Sequence, residues 1–134
     1  MKGRTSLRVV LMTVAAAALA GGSVHAAKAQ PRVPGDVVHG KKVFAEQCSL
    51  CHTTTAAPGA GPQLKGVFGR KAGVSDPKFS YTPAMKKSGL TWNQATLQRL
   101  LADPNRTVPG TSMAVALPGA KDRQDVIAYL ATLK

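Results

Sequence analysis

The sequence predicts an all-α domain of four or five helices with unusually long loops, and three observations carry that reading. No segment of useful length alternates apolar and polar residues as a strand would. Stretches with helical period and recognisable caps begin near residues 36, 82, 91 and 120. Between the first two, residues 53–79 hold Pro58, Pro62 and Pro77 with Gly59, Gly61, Gly66, Gly69 and Gly73 and show no sustained period. A connection of that length is rare inside a small domain. With only 4% aromatic residues in the chain, something other than side chains has to fill its centre.

The chain opens on Lys2, Arg4 and Arg8, an apolar run from Val9 to Ala20, Gly21-Gly22 and a small-residue stretch. This is the layout of a secretory signal peptide, and the run is shorter than the roughly 20 residues that span a bilayer. Cleavage after Ala26 is expected at Val24-His25-Ala26, with Ala27-Lys28-Ala29 fitting almost as well. Residues 1–26 are then a removed leader with no permanent membrane anchor, and residues 27–134 form one domain. The leader takes three of the 18 basic residues and none of the six acidic ones, so the remainder carries a net +9. Basicity of that kind suits nucleic acid, anionic lipid or an acidic protein, and export makes nucleic acid the poorest fit.

The first helix begins at Asp36 as N-cap, and Val37, Gly40, Phe44 and Cys48 share one of its faces. Gly40 predicts the close passage of another helix, while His39 falls on the polar side. Thr82-Pro83 to Gly89 reads as a short helix with a threonine cap and a glycine stop. Thr91-x-x-Gln94 is a capping-box pattern for a longer helix with Leu97, Leu100 and Leu101 on one stripe, ending at Asp103-Pro104. A second extended loop carries Met113. The last helix runs from about Ala120 to Leu133, buries Val126, Tyr129, Leu130 and Leu133, and places Asp122 and Asp125 at its positive end. It is the helix expected to cross the first at Gly40, with Tyr129 or Val126 over the gap and Phe44 alongside.

The chemistry lies in Cys48-Ser49-Leu50-Cys51-His52. Two thiols at this spacing reach the two vinyl groups on one edge of a porphyrin, and the histidine that follows sits under the iron, so the motif attaches a c-type haem. A disulfide or a thioredoxin-like pair would need no histidine there, and no βαβ pattern surrounds it. His52 is then the proximal ligand. On the other side of the iron the candidates reduce to Met85 and Met113, because Met12 and His25 leave with the leader, Met1 is the initiator and His39 is too close in sequence on the attachment helix. Met85 has helical spacing and suits packing. Met113, in Val108-Pro109-Gly110-Thr111-Ser112-Met113, lies on a loop free to cover the opposite haem face, and Met/His ligation is what c-type electron carriers use.

Taken together, these motifs resemble the bacterial soluble class I cytochromes c, close to mitochondrial cytochrome c. The resemblance covers about Gly35 to Leu133. It rests on Gly40 and Phe44, on Gly61-Pro62-x-Leu64-x-Gly66-Val67-Phe68-Gly69-Arg70, on Tyr81-Thr82, Leu90-Thr91-Trp92 and Pro109-Gly110-Thr111-x-Met113, and on Ile127-Ala128-Tyr129-Leu130. It implies the cytochrome c fold around one covalently bound haem c, with the Pro62 carbonyl accepting from the second imidazole nitrogen of His52. It further implies that Tyr81 and Trp92 hydrogen-bond a haem propionate with Arg70 nearby. Two departures stand out: Leu100 where many relatives have a tyrosine, and Gln47 and Ser112 where mitochondrial relatives carry lysines.

The function this implies is a periplasmic, monomeric carrier that catalyses no reaction and shuttles one electron through an exposed haem edge. Its partners would present acidic docking surfaces: a quinol-cytochrome c reductase, a terminal oxidase, a reaction centre or a dehydrogenase. Lys41, Lys42, Lys65, Lys86, Lys87, Arg106 and Lys121 are the candidates for steering. Two other readings stay open, a dedicated electron-accepting subunit of a periplasmic dehydrogenase and an open-site haem protein that binds gases or acts as a peroxidase.

Overall fold

The computed structural model describes residues 32–134. The leader read at residues 1–26, with its cleavage site, lies outside the described residues. Five helices follow in order: α1 (Val37–Gln47), α2 (Pro83–Lys87), α3 (Gln94–Ala102), α4 (Pro104–Thr107) and α5 (Ala120–Thr132). Among the described residues none is long and apolar enough to cross a membrane.

Asp36 starts α1 as its sequence position predicts, its Oδ1 accepting the Val38 and His39 N–H groups at 2.9 and 3.0 Å. Thr82 caps α2 in the same way, with its hydroxyl accepting from Met85 N–H at 3.2 Å. The cap of α3 differs from the expected one. Asn93, not Thr91, is the N-cap, and it exchanges hydrogen bonds with Thr96: Asn93 Oδ1 accepts from Thr96 N–H at 2.9 Å and Thr96 Oγ1 accepts from Asn93 N–H at 2.8 Å. Thr91 is unavailable because it forms an antiparallel bridge with Lys71. Bonds on either side of that bridge, Trp92 N–H to the Arg70 carbonyl and Ala72 N–H to the Leu90 carbonyl, both 2.8 Å, hold the segment extended.

Asp103 ends α3 as expected, yet the chain does not then run out into a loop. Its carboxylate accepts from Arg106 N–H at 2.9 Å, so the same residue opens α4, with Pro104 at a position that tolerates proline. An Asp-Pro pair is therefore both stop and start.

The core forms where α1 crosses α5, with α3 packed on α5 and α4 on α3. A methyl group on Gly40 would lie within 2.0 Å of the Asp125 carbonyl oxygen and 2.9 Å of Val126 N. What crosses Gly40 is thus the backbone of Asp125 and Val126, not the side chain of Tyr129 or Val126. Tyr129 sits one step along, with its ring centroid 5.6 Å from that of Phe44. Val126 and Leu130 are buried as expected and Tyr129 and Leu133 half-buried, while Ile127 and Ala128 are also fully enclosed. His39 is half-buried rather than solvated: its Nδ1 is 2.7 Å from Oδ2 of Asp125, which is only 2% exposed.

Candidate haem site

One end of α1 delivers the attachment motif. Cys48 N–H closes the helix on the Phe44 carbonyl at 2.9 Å, and the Cys51 and His52 N–H groups both return to the Cys48 carbonyl, at 3.1 and 2.8 Å. This tight turn throws Leu50 out to 93% exposure and leaves Cys48, Cys51 and His52 half-buried along the wall of one cavity. The thiols are not joined in a disulfide. Burial first, and then the neighbouring Cys51, push the Cys48 thiol up to about 11. That is the opposite of the depressed value a redox-active dithiol needs.

His52 is held from behind. Its Nδ1 lies 2.8 Å from the Pro62 carbonyl oxygen, which has no proton to give, so Nδ1–H is the donor and the Nε2 lone pair is left for a metal. Gly61 makes room for this contact, since a methyl group there would come within 2.6 Å of the imidazole. The Gly61 N–H to Cys51 carbonyl bond and the Leu64 N–H to Thr53 carbonyl bond, both 2.8 Å, fold residues 53–64 back over the motif.

The cavity has a volume of about 320 Å³. Its walls come from α1, α3 and α5 and from both long loops, with Leu97, Leu100, Leu101, Val126 and Leu130 as an aliphatic floor. Both methionines expected to compete for the iron reach it: Met85 is buried in the core cluster, and Met113 is half-buried on its loop. No Asp, Glu, Lys or Arg among the described residues lines the cavity.

Trp92 and Tyr81 both line it, and each has a donor to spare. The indole N–H of Trp92 makes no hydrogen bond among the described residues, yet no fully buried side-chain nitrogen or oxygen lacks a partner, so that N–H faces open space. The Tyr81 hydroxyl accepts from Asp76 N–H at 3.0 Å and keeps its proton to donate, with burial the main cause raising its pKa. Arg70 stands one layer back and is exposed. Its Nη1 donates to the Ser75 carbonyl at 3.0 Å, and Ser75 itself lines the cavity.

Two residues that arrange this corner were not singled out from sequence. Asp76 is buried and accepts from Gln63 N–H and Lys78 N–H, both at 3.0 Å, tying the two halves of the long loop together beside Tyr81. Phe79 packs edge-on against Tyr81 at 4.9 Å between centroids. The Asp76-Pro77-Lys78 turn pattern is the only sequence signal for the first.

Two thiols on one wall, an imidazole with its second nitrogen free, a thioether in reach, an apolar floor and two polar donors together fit a covalently bound haem. An all-α domain built around that set is a c-type haem protein. The cytochrome c family model matches residues 37–134. A cytochrome c2 of Rhodomicrobium vannielii is 54% identical over 101 residues, covering 73% of this chain and 79% of its own length. A cytochrome c of Tetrahymena pyriformis is 50% identical over 97 residues, covering 72% of this chain and 87% of its own. Among solved structures, cytochrome cH from Methylobacterium extorquens superposes with a TM-score of 0.69 at 47% identity, over 73% of this chain and 99% of that one. The chain belongs to the cytochrome c family, has its all-α fold, and carries one covalently bound haem c that serves electron transfer.

Proposed function

We propose that this cytochrome c works in the periplasm as a freely diffusing carrier, taking one electron from a donor complex and giving it to an acceptor. Export is supported by the basic, apolar and small-residue sequence of residues 1–26. Bound haem supplies the one-electron couple of its iron. Cys48 and Cys51 fix the group by thioether bonds, while the Pro62 carbonyl sets the His52 imidazole so that Nε2 presents its lone pair on one side. Met113, which lines the same cavity, would offer its thioether to the same iron, as Met/His ligation requires. Tyr81 and Trp92 donate to a propionate, and Arg70 offsets its charge from one layer out. With His52 and Met113 both holding the iron in either oxidation state, little would have to move when an electron arrives.

The observation that carries this reading is that His52, oriented by Pro62, shares a cavity with a loop-borne methionine. The test is a ferric absorption spectrum of the wild type, Met113→Ala and Met85→Leu proteins. The weak near-infrared sulfur-to-iron band should be present in wild type, lost in M113A and kept in M85L. Loss in M85L alone would move the sixth ligand to Met85. Absence of the band in wild type, with rapid CO binding by the ferrous form, would instead establish an open-site haem protein.

A further inference from the structure

The loop between α4 and α5 carries Met113, and its hydrogen bonds are gathered at its two ends. At the front, Val108 N–H reaches the Pro104 carbonyl at 2.8 Å, Thr111 N–H the Val108 carbonyl at 3.0 Å, and Met113 N–H the Thr111 hydroxyl at 3.2 Å. Ala114, Val115 and Ala116 are exposed and make no hydrogen bond among the described residues. At the rear the chain is caught again. Leu117 N–H donates to the Leu101 carbonyl of α3 at 2.7 Å, and Arg123, in the first turns of α5, closes on the same point.

Arg123 spends its guanidinium on three acceptors. Nη1 donates to the Leu117 carbonyl at 2.7 Å and to the Pro118 carbonyl at 2.6 Å, and Nε donates to Gln98 Oε1 on α3 at 3.1 Å. No carboxylate pairs with it among the described residues, so its charge is committed to carbonyl and amide oxygens. One planar fork thereby joins α5, α3 and the downstream end of the methionine loop. Charged donors make the stronger hydrogen bonds, and a lysine could not reproduce this geometry.

We propose that Arg123 is a positioning residue for Met113. Through Leu117, Pro118 and Gln98 it anchors the one end of the loop from which the unbonded segment 114–116 would otherwise swing, and so sets how often the sixth ligand leaves the iron. The proposal rests on Met113 being that ligand. A role confined to stabilising α5 predicts something different: a less stable protein whose native state releases Met113 no faster.

The experiment uses ferric holoprotein and added imidazole as the competing ligand. At saturating imidazole the rate of loss of the near-infrared sulfur-to-iron band reports release of the thioether. Removing a charge-assisted anchor by Arg123→Met should raise that limiting rate by about tenfold or more. Arg123→Lys should recover part of the difference, and Gln98→Leu, which cuts only the link to α3, should give a smaller rise. Denaturant unfolding of each variant separates release in the native state from loss of stability. A limiting rate within about twofold of wild type in R123M, with stability reduced, would overturn the proposal. If R123M does not accumulate with haem, unchanged rates in both R123K and Q98L overturn it in the same assay. A wild-type protein without the band removes the ligand assignment itself, an outcome distinct from a band that is present and released at the same rate in every variant.

Discussion

Gly61 has its value in what it lacks. A methyl group there would meet the His52 ring at 2.6 Å, so Gly61→Ala should tilt the imidazole and stretch its bond to the Pro62 carbonyl. A ring that donates that N–H less well is a poorer electron donor to iron and favours the ferric state less. The midpoint potential of G61A, measured by redox titration, should therefore rise. Arg70→Leu tests the layer behind the propionate site: removing a cation near an anionic group favours ferric iron, so its potential should fall. If stability drops and the potential holds, Arg70 serves only to fasten the Ser75 carbonyl. At this scale the attachment motif was fully legible, because covalent reach fixes Cys48, Cys51 and His52 within five residues of sequence. Asp76 was not, since it works by accepting main-chain N–H groups from residues 63 and 78, and no pattern of side-chain types records that.

The crossing of α1 and α5 is the element on which the haem wall leans. Gly40→Ala would place a carbon 2.0 Å from the Asp125 carbonyl oxygen. Backbone cannot yield as a side chain would, so the helices must separate at a cost of about 3 kcal/mol, readable as a lower urea midpoint. Asp125 reinforces the same contact: its Oδ1 accepts from Asp36 N–H at 2.8 Å, and its Oδ2 accepts from Lys121 Nζ at 2.5 Å and lies 2.7 Å from His39 Nδ1. Lys121 above all, then the Asp36 N–H, hold its carboxyl down to about 2, against an ordinary 3.8. The stabilisation from this depressed acid is complete above pH 3.8 and disappears as pH falls to 2. Urea denaturation across that window should show wild type losing stability and Asp125→Asn, already weaker at neutral pH, losing less. Helix starts at Asp36 and Thr82 were legible because a cap is local chemistry. The start of α3 was not, because a bridge to Lys71, twenty residues away, keeps Thr91 extended and passes the cap to Asn93. The crossing glycine announced a neighbour without saying whether side chain or backbone would fill the space.

For the molecule as a whole, charge and cavity are kept apart. The chain carries a formal net charge of +12, yet no Lys or Arg among the described residues lines the cavity, and its exposed lining includes Gln47, Ser112, Ala114 and Val115. Steering from lysines outside the mouth is screened over about 8 Å at physiological salt. The second-order rate of electron transfer to an acidic partner should accordingly fall as salt rises, then level off at a residual rate set by the neutral contact. A rate insensitive to salt throughout would remove steering from the account. The cavity also occupies the place where a domain of this size would keep its largest side chains, and both long loops end on it. A chain that has not received its tetrapyrrole lacks the group that both long loops close upon. Its linkers stay open to proteases, and the cellular abundance of the polypeptide becomes a gauge of haem supply, falling when haem is scarce even while the gene is transcribed at the same level.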